Sequence, residues 1–250
     1  MDLSPTQNDA VNQSISFDDY LIRIVRSGIG FLREEKFALL YPGAVFLIRP
    51  GEKKHIGMLS EPEFLDFHFD DATAALMRSN APAFASRNIR TVDPCVLDQL
   101  VRLENEYRQE QQIRRPGVQL ALLEKQLAAE RLIFQHGRDQ SEIEGKIAQT
   151  LCFIAENYGR DVTLQDLAGP TGLSVSYYRR TFRNLLGCSP IDCLLDHRLF
   201  RAAGMLSRTE KSIAHVAQEC GFNDPNYFSR LFTRRKGMTP RAWRRSCRKN

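Results

Sequence analysis

The strongest constraint on the fold of this chain is an internal repeat in its C-terminal part. Before a glycine turn, the residues Thr163, Leu164, Leu167, Ala168, Gly172 and Leu173 recur 49 positions later as Ser212, Ile213, Val216, Ala217, Gly221 and Phe222. After the turn the offset is 50, and Tyr177, Tyr178, Arg180, Phe182, Gly187, Ser189 and Pro190 recur as Tyr227, Phe228, Arg230, Phe232, Gly237, Thr239 and Pro240. Because residue type and order are both kept, one supersecondary unit is used twice.

Local signals in each copy predict a helix, a tight turn and a second helix. In the first copy, Thr163 and Asp166 have the spacing of a capping box, and Gly172 marks the end of that helix. Ser174 can cap the next helix, which we expect to end near residue 186. The corresponding signals in the second copy are Ser212, Gly221 and Asp224-Pro225. The repeat therefore predicts two helix-turn-helix units.

A long helix is predicted between the two units. It starts at Ser189-Pro190, and its apolar face contains Ile191, Leu194, Leu195, Leu199, Ala202 and Leu206. At a helical rise of about 1.5 Å per residue, residues 190–206 span about 25 Å. A rod of that length can hold two reading helices about one DNA turn apart, which is roughly 34 Å.

Charge is distributed unevenly along the chain. Residues 146–250 contain 18 Lys and Arg and 8 Asp and Glu, a net charge of +10. Residues 1–145 contain 17 basic and 22 acidic residues, a net charge of −5. The basic excess is confined to the half that carries the repeat, which is typical of a nucleic-acid-binding domain joined to a partner domain.

The second helix of each unit is predicted to enter the major groove of double-stranded DNA. The outward residues expected to contact bases are Ser176, Arg179, Arg180, Asn226, Ser229 and Arg230. Arginine suits guanine and asparagine suits adenine by bidentate hydrogen bonding. The basic residues expected to contact phosphates are Arg183, Arg234, Arg235 and Lys236. Arginines on one helix face are often only a solvated surface, but their recurrence in the basic half favours DNA recognition.

The N-terminal part changes from a β pattern to a helical pattern. Short apolar runs at 20–25, 37–41, 45–48 and 64–69, punctuated by Pro-Gly turns, predict a small sandwich or barrel. From residue 94 the apolar residues adopt a helical period. Leu120, Leu123 and Leu127 lie on a second apolar stripe, which either packs on its own domain or forms the seam of a homodimer.

These patterns predict an α+β chain with two domains. We expect residues 1–135 to form a sensing and dimerisation domain, 136–145 to be a polar linker, and 146–250 to form the DNA-binding domain.

The repeat resembles the AraC/XylS family of bacterial transcription regulators. The matching stretch runs from Leu164 to Trp243 and includes Gly221-Phe222, Tyr227-Phe228-Ser229-Arg230, Phe232 and Gly237-Met238-Thr239-Pro240. The resemblance implies two helix-turn-helix units joined by a long helix, promoter binding, and activation through contact with RNA polymerase. Two features depart from the family pattern: Gly169-Pro170 stands where the family continues a helix, and Trp243 replaces a smaller aromatic residue.

The resemblance also implies an N-terminal cupin-like barrel that binds a small-molecule effector. The stretch from Leu39 to His55 looks like part of that barrel, and Phe67-His68-Phe69 looks like a later strand. Arg23, Arg49 and His55 are candidates to orient an anionic or hydroxylated effector, although the same residues fit exposed positions of alternating strands. An alternative is that the domain binds no effector and instead dimerises or binds a partner protein.

Other classes of function have weaker support in the sequence. A metal-dependent cupin enzyme needs converging His and carboxylate ligands, whereas this segment offers His55 and His68 without a close pair, so we expect no metal, no cofactor and no catalysis. The six cysteines lack metal-binding spacing and are expected to be reduced, with redox sensing by Cys188 and Cys193 as the alternative. No stretch approaches the roughly 18–20 apolar residues of a membrane span, so a cytoplasmic protein is predicted.

Overall fold

The computed structural model describes residues 13–34, 36–69, 89–112 and 118–247 of the chain. The described residues divide into two compact units, one ending at residue 148 and the other beginning at residue 149. The domain boundaries proposed from the sequence remain a prediction beside this division.

The described part of the first unit contains nine β-strands in two antiparallel sheets. They are β1 (Gln13–Ile15), β2 (Tyr20–Ser27), β3 (Gly30–Arg33), β4 (Phe37–Leu40), β5 (Ala44–Ile48), β6 (Lys54–Met58), β7 (Glu63–Phe69), β8 (Arg90–Thr91) and β9 (Arg138–Asp139). One sheet has the order β1-β6-β3-β4, and the other has the order β7-β2-β5-β8-β9. Within the described strands no pairing joins the two sheets, so the cupin-like closed barrel remains a proposal.

The central strand β2 is buried on both faces because its side chains alternate between two cores. Leu21 and Val25 pack between the sheets in a cluster whose other members include Leu32 and Ile56 of the opposite sheet. Ile22 and Ile24 pack in a second cluster on the other face. This two-sided burial explains why the strand is a nearly continuous apolar run and not a simple alternation.

Two long helices, α1 (Pro94–Gln112) and α2 (Val118–His136), cover the second face of the five-stranded sheet. Val96 and Leu100 of α1 and Ile133 of α2 pack against Phe67 and Phe69 of β7. The helical period predicted from residue 94 is confirmed, and its apolar stripe has the sheet as its partner.

The segment 136–145 differs from the polar linker expected from its sequence. Arg138 and Asp139 form β9, which pairs with β8. The side chain of Gln140 accepts a hydrogen bond from the backbone N–H of Leu39 at 2.8 Å and donates one to its carbonyl at 2.6 Å. A new helix then begins at Glu142. Polar composition does not make this segment an extended connection, because its polar side chains satisfy the sheet edge.

The second unit is helical, as predicted. The helices are α3 (Glu142–Asn157), which extends into this unit, α4 (Leu164–Ala168), α5 (Val175–Leu186), α6 (Pro190–Arg208), α7 (Ile213–Glu219), α8 (Pro225–Lys236) and α9 (Pro240–Cys247). Helices α4 and α5 form the first helix-turn-helix unit, α7 and α8 form the second, and α6 connects them. The two predicted helix-turn-helix units and their long connecting helix are confirmed.

The capping residues expected from the sequence are observed. The Thr163 side chain and the Asp166 side chain form the reciprocal hydrogen bonds of a capping box. Ser174, Ser212 and Asp224 each accept a hydrogen bond from the backbone of the helix that they precede. Helix α4 ends after only five residues, just before Gly169-Pro170. A single 3-10 turn follows it and ends at Thr171.

Candidate nucleic-acid interface

Helix α5 is anchored by aromatic residues on one face and carries arginines on the other. Tyr178 and Phe182 are fully buried, with their ring centroids 5.7 Å apart. The exposed side chains on this helix include all four predicted contact residues, Ser176, Arg179, Arg180 and Arg183. The guanidinium of Arg180 lies 5.5 Å from the centre of the Tyr177 ring. The hydrophobic anchor fixes which face of α5 is presented outward.

Helix α8 repeats this arrangement in the second helix-turn-helix unit. Phe228 and Phe232 are fully buried and their ring centroids are 5.6 Å apart. Asn226 and Arg230 are exposed. Ser229 is half-buried, and its hydroxyl donates a hydrogen bond to the Pro225 carbonyl of its own helix at 2.9 Å. Arg180 and Arg230 thus occupy equivalent exposed positions on two helices, as the repeat predicted.

The basic residues at the end of α8 have different surroundings. Arg234 is exposed. Arg235 forms ion pairs with two carboxylates of α6, with Asp192 at 3.2 Å and with Asp196 at 3.5 Å. The ammonium of Lys236 lies 5.8 Å from the centre of the Trp243 ring. Of these three predicted phosphate contacts, Arg235 has part of its charge already balanced within the unit.

Two exposed tyrosines at the interface were not assigned a role from the sequence. Tyr177 is 41% exposed and Tyr227 is 40% exposed, although large aromatic side chains are usually more deeply buried. They stand 50 positions apart at the start of α5 and α8, one residue before the buried anchors. Their recurrence in the repeat was the available signal, and it marks them as further candidates to contact DNA.

The connecting helix α6 is held by burial in the second helix-turn-helix unit and by the hydrogen bonds of Arg198. Leu199, Ala202 and Leu206 belong to the core of the second unit. The Arg198 guanidinium donates hydrogen bonds to the carbonyls of Tyr158 at 2.7 Å and Arg160 at 2.6 Å. The 19 residues of α6 correspond to about 28 Å of helix. The rod predicted between the two units is therefore present and slightly longer than expected.

The predicted effector residues lie on separate elements. Arg23, in β2, forms a bidentate ion pair with Asp66 at 2.8 and 2.6 Å, and its guanidinium lies 5.2 Å from the centre of the Phe17 ring and 4.7 Å from that of Phe64. Arg49 follows β5 and lies 3.7 Å from Glu52. His55 is an exposed residue of β6, in the other sheet. The structure gives Arg23 an internal partner, and an effector site formed by the three residues remains a prediction.

The residues of the predicted dimer stripe lie on α2. Leu127 is half-buried and packs against the sheet-and-helix core, which agrees with the structural alternative. Leu123 is also half-buried. The Leu120 side chain lies outside the described residues. The dimer seam remains a prediction.

Two other expectations concern sites and membranes. Among the residues that the structure describes, no group of three or more His, Cys, Asp and Glu side chains is arranged to hold a metal ion. Over the same part of the chain, no helix combines the length and apolarity needed to cross a membrane.

Comparison with known proteins identifies the repeat. Residues 167–246 match a family model described as a helix-turn-helix domain. An uncharacterised HTH-type transcriptional regulator, YdeC of Bacillus subtilis, is 31% identical over 130 residues, which are 51% of this chain and 44% of that protein. The HTH-type transcriptional activator RhaS of Yersinia pestis is 34% identical over 110 residues, 44% of this chain and 39% of its own length. The C-terminal region is an AraC-type helix-turn-helix domain.

A solved structure gives a further comparison. A solved transcriptional regulator with an AraC-type DNA-binding domain, from Chromobacterium violaceum, is 29% identical over 41% of this chain and 91% of its own, with a TM-score of 0.40. The matched part of this chain spans less than half the length of the two curated relatives described above. The relatives are named as transcription regulators, in agreement with the expectation that the chain is not an enzyme.

Proposed function

We propose that this chain is a sequence-specific DNA-binding transcription regulator that activates promoters. The observation that carries the proposal is the equivalent placement of Arg180 and Arg230, exposed on two anchored helices of one AraC-type domain. The net charge of +10 in residues 146–250 supplies the long-range attraction to phosphates. One monomer would place α5 and α8 in successive major-groove segments, while the ends of these helices meet the backbone.

The roles of the two arginines can be tested by DNA selection. In Arg180→Ala and Arg230→Ala, we expect specific binding to weaken by about 1–3 kcal/mol, with relaxed preference at one base position each, because a bidentate contact to guanine is lost. The measurement is sequencing of genomic fragments retained by the full chain, followed by titration of the best fragment. Arg160→Ala removes an exposed arginine outside both helices and serves as the control. Equal losses on selected and scrambled fragments would contradict base reading.

The ends of α8 give a second prediction, about salt dependence. Arg234→Ala should reduce the slope of log affinity against log salt by about 1, because one phosphate contact is lost. Arg235→Ala should reduce the slope less, because Asp192 and Asp196 already balance the charge of Arg235. Titrations of random duplex DNA over a series of salt concentrations measure both slopes. If the salt slope fell as much in the Arg235 variant as in the Arg234 variant, the ion pairs of Arg235 in the wild type would have to open on DNA.

We propose further that the first unit controls the DNA-binding domain, through a small effector held between its sheets. The supporting features are the apolar inter-sheet core and the Arg23–Asp66 pair, which Phe17 and Phe64 frame. In this proposal the regulator acts in the cytoplasm and contacts RNA polymerase at the promoter. Thermal-shift measurements on the full chain with sugars and organic acids test the effector. A compound that stabilises the wild type but not Arg23→Ala supports the site, and stabilisation of both variants alike removes Arg23 from it.

The alternative is a first unit that acts by forming a homodimer. Leu123 is the residue of the stripe to change, since Leu127 already packs in the core of its own unit. Leu123→Asp should convert a dimer into a monomer in sedimentation experiments, because a buried seam does not accept an unpaired carboxylate. Leu127→Asp is expected to destabilise the unit itself. An unchanged sedimentation coefficient in Leu123→Asp would exclude the seam.

A further inference from the structure

Two cysteines of the AraC-type domain occupy paired positions that DNA binding does not use. Ser189 is the N-cap of α6, and its side chain accepts a hydrogen bond from the backbone N–H of Asp192 at 3.1 Å. Cys188 therefore precedes the cap by one residue, and Cys193 stands in the fourth position of the helix. Side chains at these two positions commonly pack together and fix the angle at which the chain enters a helix.

The second helix-turn-helix unit carries different residues at the equivalent positions. Thr239 caps α9, accepting a hydrogen bond from the backbone N–H of Ala242 at 3.2 Å. The residues equivalent to the two cysteines, 50 positions on, are Met238 and Trp243. Where the second unit uses two large apolar side chains, the first unit uses two thiols. The first helix-turn-helix unit therefore has a thiol chemistry at these positions that the second lacks.

The capped start of α6 places the two thiols at neighbouring positions, and their environments differ. Cys193 is buried in α6, and Cys188 is half-buried in the short segment between α5 and α6. The hydrogen bond from the Cys193 thiol lowers the pKa of Cys188, against the opposing effect of its burial. The same hydrogen bond and complete burial raise the pKa of Cys193. Cys188 is thus the more accessible sulfur and the better nucleophile, while Cys193 keeps its proton.

We propose that Cys188 and Cys193 form a reversible intramolecular disulfide, with a peroxide as the oxidant. The Cys188 thiolate attacks one peroxide oxygen, so that an S–O bond forms, the O–O bond breaks and the leaving hydroxide takes up a proton as water. The Cys193 sulfur then attacks the sulfur of the Cys188 sulfenic acid. An S–S bond forms, the S–O bond breaks, and the hydroxyl leaves as water with the proton of Cys193. In total, two thiols and one hydrogen peroxide give one disulfide and two water molecules.

The location of the pair connects its oxidation to the DNA-binding surface. Cys188 directly follows Gly187, the left-handed cap that ends α5, and precedes the start of α6. A disulfide has an S–S bond of about 2.05 Å, so the two sulfurs must approach one another and the connection must shift. Cys188 also lies in the electrostatic neighbourhood of Asp192, Asp196 and Arg235. Oxidation therefore acts on the angle between α5 and α6. This consequence for DNA rests on the proposed function, whereas the disulfide itself does not.

One tryptic peptide reports the chemistry. Residues 184–198 lie between Arg183 and Arg198 and contain Cys188 and Cys193 but no other cysteine. The full chain carrying Cys95→Ser and Cys247→Ser, which removes the two exposed thiols, is treated with hydrogen peroxide and digested after alkylation. We expect the peptide to lose two hydrogen atoms and to recover them, with two alkyl groups, after treatment with dithiothreitol.

Two variants separate the roles of the cysteines. In Cys193→Ser, we expect oxidation to stop at the Cys188 sulfenic acid, which dimedone traps. In Cys188→Ser, we expect neither a disulfide nor a dimedone adduct on the peptide. A wild-type peptide that is trapped by dimedone, or that stays reduced while the urea-unfolded chain is oxidised, would overturn the proposal.

DNA binding is measured separately, so that the two proposals can fail independently. Fluorescence anisotropy with random duplex DNA compares the oxidised and reduced chain, with Cys193→Ser as the control. We expect the affinities of the two forms to differ about fivefold or more in wild type and to be alike in the variant. A disulfide without a change in affinity would refute the effect on DNA. If neither form bound DNA, the proposed function would fail while the peptide result still stood.

Discussion

Replacing Gly221 by alanine is expected to destabilise the second helix-turn-helix unit by about 2–4 kcal/mol. Gly221 forms the turn between α7 and α8 with a φ of +79°, a conformation that side chains disfavour. A Cβ atom at this position would lie 2.7 Å from the carbonyl oxygen of Tyr158 and 3.0 Å from Nε of Arg198. Backbone strain at Gly221 and steric overlap of the added Cβ therefore add to each other. The overlap is with the Tyr158 backbone and with the Arg198 side chain, which hydrogen bonds hold in place.

The single tryptophan of the chain makes this loss measurable within its own unit. Trp243 packs against Phe232, with ring centroids 5.9 Å apart, and donates a hydrogen bond to the Ala203 carbonyl at 3.2 Å. Its fluorescence during urea unfolding therefore reports the second unit. Gly172→Ala is the matched control in the first helix-turn-helix unit, and its unfolding is followed by circular dichroism because Trp243 reports the second unit. The φ of Gly172 is +66°, but no atom lies within 4 Å of the added Cβ. We expect Gly172→Ala to lower the free energy of unfolding by only about 1 kcal/mol. Equal losses would mean that backbone strain alone decides.

Replacing Glu144 by glutamine is expected to lower the free energy of unfolding of the first unit by about 3 kcal/mol near neutral pH. The Glu144 carboxylate is buried and accepts hydrogen bonds from both terminal nitrogens of Arg138 at 2.9 Å. It also accepts hydrogen bonds from the Tyr41 hydroxyl at 2.6 Å and from the backbone and hydroxyl of Ser141 at 2.7 and 2.8 Å. Burial alone would raise the pKa of Glu144, but these hydrogen bonds outweigh it and lower the pKa to about 2.

The direction of this pKa shift fixes the pH dependence. Above about pH 5 the Glu144 carboxylate is ionised in both the folded and the unfolded chain, and its stabilisation is fully present. As the pH falls below the ordinary value of 4.5, the unfolded chain binds a proton that the folded chain refuses until about pH 2. The stability difference between wild type and Glu144→Gln should therefore shrink over this range.

The measurement is urea unfolding followed by circular dichroism, with hydrogen exchange of peptides covering residues 138–148. Glu142→Gln is the control, since this neighbouring carboxylate is 84% exposed and pairs with Lys146 only at the surface. We expect the control to change stability by no more than about 0.5 kcal/mol. A pH-independent difference between wild type and Glu144→Gln would contradict a lowered pKa.

The sequence predicted best what depends on neighbouring residues. The capping box of Thr163 and Asp166, the glycine turns and the inward positions of Phe228 and Phe232 all follow from spacings within a few residues. Duplication made the pattern readable, because each feature appears twice in the same order. The helix-turn-helix fold and the exposed positions of Arg180 and Arg230 are therefore predictable from the sequence alone.

Long-range pairing limited the remaining predictions. Nothing in the strand of Arg23 reveals that Asp66, 43 residues away, forms an ion pair with it. Glu144 belongs to the predicted polar linker, and nothing near it reveals that its partner Tyr41 lies 103 residues earlier. Arg235 likewise acquires its carboxylate partners from α6. Register across a sheet and packing between helices decide such contacts, and neither leaves a local trace in composition.

The hydrogen bonds that Arg198 of α6 donates have a consequence for promoter architecture under the proposed function. Its guanidinium binds the end of α3 through two carbonyls and lies 5.8 Å from the ring of Phe222, in the turn of the second unit. Because a helical spacer of this kind is stiff, the two helix-turn-helix units cannot adjust their separation or relative rotation when their two DNA target elements are moved apart. Under the proposed function, inserting half a helical turn of base pairs between those elements would force the duplex to twist or would leave one element unbound, so that the length of a single α-helix would set the phasing of the promoter.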